Sequence, residues 1–242
     1  MHRVEQIMGT AIRVDLADPL PPPRLGELAD GVYAWLREVD ERFSTYKETS
    51  EVNRIDRGEL STGDASPVLR HVLDECARLW QVTGGYFDAY ATGRLDPSGY
   101  VKGWSVQVAS DRLSEAGSVN HCINAGGDVC VRGRWRVGVQ HPWERMKLAW
   151  VLDAVDTAVA TSGTYERGQH VVDPFTGRPA TELISVTLVG ADLAVADAYA
   201  TTAVAMGRKA LDWLASLDGY ESAVITAGGE AFVSPGLPIA AT

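Results

Sequence analysis

Residues 119–132, Val-Asn-His-Cys-Ile-Asn-Ala-Gly-Gly-Asp-Val-Cys-Val-Arg, divide the chain into two kinds of text. Before Gly117 the apolar residues recur at three- and four-residue spacing, the period of amphipathic helices. From Val119 onward they fall into short runs and alternations, as strands require. Val119 to Ala125 and Val129 to Arg132 read as two strands on either side of Gly126-Gly127-Asp128. Helical and strand text are partly segregated, which favours an α+β fold over a doubly wound α/β sheet.

Toward the N-terminus, a helix is predicted to start near Val101 and to carry Trp104, Val108, Ala109 and Leu113. Before it, Val68, Leu69, Val72, Leu73, Cys76, Leu79 and Trp80 share one helical face. Ser66 fits its N-cap, Pro67 its first turn and Thr83-Gly84-Gly85 its stop. A further helix is predicted from about Arg24 to Arg42, with the Pro19 to Pro23 cluster as an extended lead-in. Thr10 to Leu16 alternates as a strand. Toward the C-terminus, strands are predicted near 135–140, 148–155, 158–161, 169–172 and 184–189. Helices follow near 193–206 and 209–217, and the segments 222–226 and 230–233 close as a hairpin. No internal repeat is present.

The chain has 242 residues, 45% of them hydrophobic, enough for one large domain or two intimately packed lobes. Its net charge of −10 repels phosphate backbones and anionic lipid, which argues against nucleic-acid and membrane-surface roles. A phosphate-bearing ligand would need that repulsion offset, and a bound divalent cation is one way to do so. Cys76, Cys122 and Cys130 form no C-x-x-C pair and read as buried small hydrophobes. Met1 to Asp15 lacks the apolar core of a signal peptide, and no segment reaches the length of a membrane span. A soluble, cytoplasmic protein is expected for the chain as given, or an extracytoplasmic one if its N-terminus was trimmed.

Four segments could carry chemistry. Asp197 and Thr201, four apart on a predicted helix, would put a carboxylate and a hydroxyl on one face. Two such hard oxygens suit Mg²⁺, although a solvated Asp and a Thr bonded to its own helix give the same spacing. Asp96-Pro97-Ser98-Gly99-Tyr100-Val101-Lys102-Gly103 opens a helix with a lysine near its N-terminus, where N–H groups favour anions. The same text also reads as an ordinary junction with a capping Asp. Thr161 to Pro174 is a glycine-punctuated loop leading to His170, and a lone His is more often structural than catalytic. Asn124 to Asp128 allows either close backbone approach to a planar ligand or a plain hairpin. The phosphate-loop, dinucleotide-fold and zinc-protease motifs are absent.

Taken in order, these segments resemble the successive blocks of the ApbE family. The blocks are Met8-Gly9-Thr10, Phe43 to Tyr46 with Ser50 to Ile55, Gly84 to Asp88, Asp96 to Gly103, and Asn124 to Asp128. They continue with Ala160 to Gly163, His170 to Pro174 with Thr176-Gly177, and Ala196 to Thr201. The resemblance implies a single domain over residues 1–242, T-fold-like, of two packed lobes with FAD between them. It implies a Mg²⁺-dependent transferase that moves FMN from FAD onto a threonine of an acceptor flavoprotein and releases AMP. Gly99 (through its carbonyl), Asp197 and Thr201 would hold Mg²⁺. Met8, Tyr46, Tyr86, Phe87, Asp88, Asp96, Lys102 and Val172 would line the flavin nucleotide, and His170 would take the proton.

The acceptor would present an Asp-x-Ser/Thr-Gly-Ala-Thr-like segment, which this chain lacks. Some departures from the family pattern stand out. The connection from Asp88 to Asp96 is short, Pro97-Ser98 replaces a frequent Leu-Gly, and Ala200 supplies no side-chain oxygen. FAD hydrolysis to FMN and AMP would use the same residues; flavin binding without turnover is the other reading, which loss of Asp197 or Thr201 would have favoured, and both are present.

Overall fold

The computed structural model describes residues 1–163 and 171–241. An eight-stranded antiparallel sheet forms the centre. Its strands are β1 (His2–Ile7), β2 (Thr10–Leu16), β3 (His121–Ala125), β4 (Asp128–Arg132), β7 (Ala158–Gly163), β10 (Leu183–Gly190), β11 (Tyr220–Thr226) and β12 (Ala231–Val233), in that spatial order. The hairpin of β5 (Arg134–Gln140) and β6 (Leu148–Val155) stands apart, as does the small pair β8 (Val172–Asp173) and β9 (Arg178–Pro179). The expected α+β class holds.

Helices α1 (Pro22–Phe43), α2 (Glu51–Asp56), α3 (Pro67–Val82) and α4 (Ser98–Glu115) all lie between β2 and β3 in the chain. Helices α5 (Leu193–Met206) and α6 (Ala210–Ala215), joined by a 3₁₀ turn, lie between β10 and β11. Two cores result from the alternation of side chains along the central strands. Ile123, Cys130, Ala158, Ala160, Val186 and Leu188 point toward the helices, where they meet Leu36, Leu69, Val106 and Ala203. Their neighbours Cys122, Val129, Val131, Val159 and Val189 point the other way, under Val137, Val139, Leu152 and Ala154 of the β5–β6 hairpin. The central strands are therefore buried on both faces, which is why their text is nearly continuous in apolar residues.

The join between β4 and β7 is narrow. It has two residue pairs, Val129↔Val159 and Cys130↔Ala158, whereas β7 and β10 share six.

Local signals account for the element ends. Ser66 Oγ accepts the Leu69 N–H at 3.2 Å, as its N-cap role requires, and α3 gives way to Gly84 and Gly85 at positive φ. The proline cluster is partly helical, since α1 begins at Pro22 and not near Arg24. The first turn of a helix needs no N–H from proline, so Pro22 and Pro23 fit there. α4 likewise begins at Ser98, three residues before the predicted start, with Asp96 Oδ1 accepting the Ser98 N–H at 3.0 Å. Among the described residues no helix is long and apolar enough to cross a membrane.

Candidate functional site

A cleft of about 650 Å³ opens where the end of α1, the α3–α4 connection, the start of α4, the end of β7 and α5 meet. Its volume suits a ligand of nucleotide size. The floor is made where α4 and α5 cross. Gly103 permits the crossing, because a Cβ there would sit 2.6 Å from the Leu193 carbonyl oxygen and 2.8 Å from Asp197 Cβ. This contact places Asp197, only 1% exposed, under the N-terminal turn of α4.

Asp197 Oδ2 accepts the Gly103 N–H at 3.0 Å. In a regular helix that N–H would be directed to the carbonyl of Gly99, so the Gly99 oxygen has at best a shared donor. One turn along α5, Thr201 Oγ1 lies 2.9 Å from Ser162 Oγ of β7. Gly99, Asp197, Thr201 and Ser162 all face the cleft and offer carbonyl, carboxylate and hydroxyl oxygens. That donor chemistry fits a hard divalent cation such as Mg²⁺. Among the described residues no three His, Cys, Asp or Glu side chains converge to hold a metal, so the described donors are the Asp197 carboxylate with hydroxyl and carbonyl oxygens beside it.

Lys102 projects from the same turn. Its Nζ is 2.5 Å from Asp128 Oδ2 and 3.8 Å from Asp197 Oδ1. Asp128 is fully buried and also accepts the Thr161 N–H at 3.2 Å. Lys47, also a lining residue, pairs through Nζ with Asp40 and Glu41, each at 2.5 Å. Counted among the described lining residues, the carboxylates of Asp40, Asp88, Asp96 and Asp197 outnumber the ammonium groups of Lys47 and Lys102.

The remaining walls carry the aromatic and apolar positions. Phe87 is buried, with its N–H donating to Thr83 Oγ1 at 2.9 Å, and it packs where a Cβ on Gly99 would reach its ring at 3.4 Å. Tyr86 meets Phe175 edge-to-face at 4.8 Å between ring centroids. Tyr46 is 95% exposed at the mouth. Met8 and Gly9 form the two-residue turn between β1 and β2, with φ of 53° and 71°. Positive φ at both central positions is the I′ hairpin geometry, and for Met8 it costs about 1–2 kcal/mol.

The structure thus brings Met8, Tyr46, Tyr86, Phe87, Asp88, Asp96, Gly99, Lys102, Val172, Asp197 and Thr201 to one cleft. His170 lies outside the described residues. The two glycines of Asn124 to Asp128 do not line the cleft, so the close-approach reading of that segment gives way to the hairpin one. The cause is packing: Gly126, at φ 61°, abuts Thr10, whose Oγ1 would lie 2.5 Å from a Cβ. The residue of that segment that bears on the cleft is Asp128, through Lys102. Ser162 and the Lys47–Asp40 pair were not singled out from sequence. Ser162 sits in a quoted block, but its facing of Thr201 depends on how β7 lies against α5.

Comparison with known proteins places this cleft in a wider group. The sequence profile of the ApbE family matches residues 8–93 and 90–225. A protein of Vibrio cholerae named FAD:protein FMN transferase is 31% identical over 131 residues, covering 48% of this chain and 39% of that protein. One of the same name from Rhodobacter capsulatus is 33% identical over 158 residues, covering 59% of this chain and 30% of that protein. The matched segments thus span less than half the length of these curated relatives.

Among solved structures, the flavin transferase ApbE from Vibrio cholerae superposes with a TM-score of 0.82 at 23% identity over 97% of both chains. The ApbE protein from Thermotoga maritima gives 0.83 at 22% identity, again over 97% of both chains. At such identities the likeness carries the fold alone. The profile match, by contrast, runs through every segment that builds the cleft, and the chain belongs to the ApbE family.

Proposed function

We propose that this chain is a Mg²⁺-dependent FAD:protein FMN transferase that attaches FMN by a phosphoester to a threonine of an acceptor flavoprotein. One observation carries the reading: segments scattered from Met8 to Thr201 converge on one nucleotide-sized cleft with an oxygen-rich floor and a fixed lysine. The excess of carboxylates among its described lining residues disfavours an anionic ligand unless a cation accompanies it, which suits a pyrophosphate bound with a metal.

Gly99, Asp197 and Thr201 would hold Mg²⁺, which when bound offsets charge on phosphate oxygens as the leaving group departs. The other steps fall to this chain's own residues. Lys102 supplies a positive charge to the pyrophosphate, and Phe87, Tyr86 and Met8 offer apolar surface to the flavin. The acceptor threonine's Oγ forms the new bond to the FMN-side phosphorus, the bond to the bridging oxygen breaks, and AMP leaves with that oxygen. The hydroxyl proton passes to a base, for which His170 is the first choice and a cleft carboxylate the second. The acceptor would carry an Asp-x-Ser/Thr-Gly-Ala-Thr-like segment, and the chain would act as one unit over residues 1–242.

The test is intact-mass spectrometry of an acceptor domain bearing that segment, incubated with this protein, FAD and Mg²⁺, beside a chelator control. A metal-dependent gain of one FMN on the acceptor, with release of AMP, supports the transferase. Metal-dependent FMN and AMP without adduct would replace it with an FAD hydrolase. Intact bound FAD with neither product would leave a flavin-binding protein.

A further inference from the structure

A row of aromatic rings leads out of the cleft and ends in solvent. Tyr86 lines the cleft, and its ring meets Phe175 edge-to-face at 4.8 Å between centroids. Phe175 in turn lies over Gly85, where an added Cβ would be 3.2 Å from its ring and 3.6 Å from Trp80 Nε1. The bare backbone of Gly85 thus gives room for rings from α3 and from the β8–β9 turn to come together. Phe175 is 65% exposed and Trp80 52%, and neither is among the described lining residues of the cleft. A ligand held in the cleft reaches Tyr86, whereas the two outer rings face what arrives from outside.

Exposed aromatic rings grouped at the edge of a site mark an interaction surface, and Trp and Phe are enriched in such surfaces. This one is set before anything binds. Asp173 Oδ1 accepts the Phe175 N–H at 2.9 Å, and Asp173 Oδ2 accepts the Thr176 hydroxyl at 3.1 Å. A partner that docks on Phe175 therefore loses little to ordering the turn.

Charge narrows the choice of partner. A chain of net charge −10 repels an acidic segment unless a local cation meets it. Arg178 closes the same turn, exposed and, among the described residues, in no ion pair. The acceptor segment of the proposed reaction opens on an Asp, and its threonine has to reach the cleft from outside. Two rings for an apolar side chain and a guanidinium for a carboxylate match that requirement.

We infer that Phe175, Trp80 and Arg178 form the docking surface for the acceptor protein, beside the cleft that Tyr86 lines. The inference rests on the transferase reading of the cleft.

The experiment follows FMN transfer at saturating FAD and Mg²⁺ over a range of concentrations of an acceptor domain bearing that segment. FAD affinity, solution mass and the unfolding midpoint are measured beside it. Phe175→Ala, Trp80→Ala and Arg178→Glu are each expected to raise the acceptor KM by about 10-fold or more, as loss of an interface anchor does. FAD affinity and kcat should stay near wild type. Should either aromatic variant unfold, Arg178→Glu, a change at an exposed turn, keeps the test open.

An acceptor KM unchanged in the folded variants would overturn the inference. FAD affinity that falls along with transfer would overturn it too, since the rings would then serve the flavin. A lower solution mass in the variants with the acceptor KM unchanged would give the surface to a second copy of this chain and overturn it as well. Wild-type protein that binds FAD and leaves the acceptor unmodified would overturn the functional reading and the inference together, a result seen before any variant is made.

Discussion

Asp197 joins two helices with one carboxylate: it accepts the Gly103 N–H of α4 while lying on α5 beside Thr201. Asp197→Asn keeps an oxygen for that N–H, so folding should survive. The amide binds Mg²⁺ poorly, and turnover should fall by about 100-fold or more, beyond the loss typical of residues behind the ligands. Steady-state FMN transfer together with the unfolding midpoint checks this; wild-type turnover at limiting Mg²⁺ would remove Asp197 from the metal. At this scale the sequence was informative where chemistry follows local spacing. Asp197 and Thr201 stand one turn apart in any helix, so their shared face was legible. The pairing of Lys102 with Asp128 was not, because it depends on where α4 lies over the start of β4.

The crossing of α4 and α5 shows what an element can and cannot disclose. Gly103 reads as a weak point in a helix, yet it is the site of closest approach. In an open helix Gly→Ala would stabilise by about 1 kcal/mol. Here the added methyl meets backbone at 2.6 Å, which a flexible side chain could relieve but a carbonyl cannot. Overpacking should therefore win, and Gly103→Ala should cost about 1–3 kcal/mol and weaken FAD binding as Asp197 is displaced. Urea unfolding and FAD titration measure both, and a stabilised variant with normal FAD affinity would refute the crossing.

Helices α1 and α3 were legible because each buries one stripe of apolar residues at helical spacing. The short elements β1 and α2 were not. β1 is an edge strand with mostly exposed or half-exposed residues, so His2–Ile7 carries no apolar period. α2 has six residues, too few to show a helical repeat, although Ser50 caps it by accepting the Asn53 N–H.

Across the whole molecule, a buried polar chain ties together the β2–α1 connection, α4 and β3. Asp18 accepts from Ser118 Oγ and from the N–H groups of Val119 and Asn120. Ser118 Oγ lies 3.0 Å from His121 Nδ1, and His121 Nε2 lies 2.8 Å from Ser110 Oγ. Burial, reinforced by the Arg132 charge, lowers the His121 pKa to about 4. Burial alone would raise that of Asp18, but its hydrogen bonds outweigh this and hold it below the usual value.

Both groups make acid unfavourable to the fold. Unfolded His121 takes up a proton below pH about 6.5 while the folded residue resists it down to about 4, so stability falls across that window. The expected loss from His121 is about 3 kcal/mol. Urea midpoints between pH 7 and 4 should show this slope, and His121→Gln should flatten it; a wild-type profile flat over the window would refute the assignment. The strand order stayed hidden from the sequence for a related reason. β4 pairs with β7 past the intervening β5–β6 hairpin, and nothing in the local text records a partner so chosen.

That β4–β7 join, two residue pairs wide, runs beneath the cleft, with Lys102 and Asp128 on one side and Ser162 and Thr201 on the other. A ligand gripped from both sides acts as a splint across the thinnest line of the sheet. The empty protein should open there first, and amide exchange at Val129, Val131 and Val159, whose N–H groups face the join, should slow when FAD binds, by more than at β10 and β11. Saturation at about 100 times the dissociation constant corresponds to about 2.7 kcal/mol of added stability, so a global slowing would match that figure everywhere. Slowing confined to the join would instead locate the molecule's hinge.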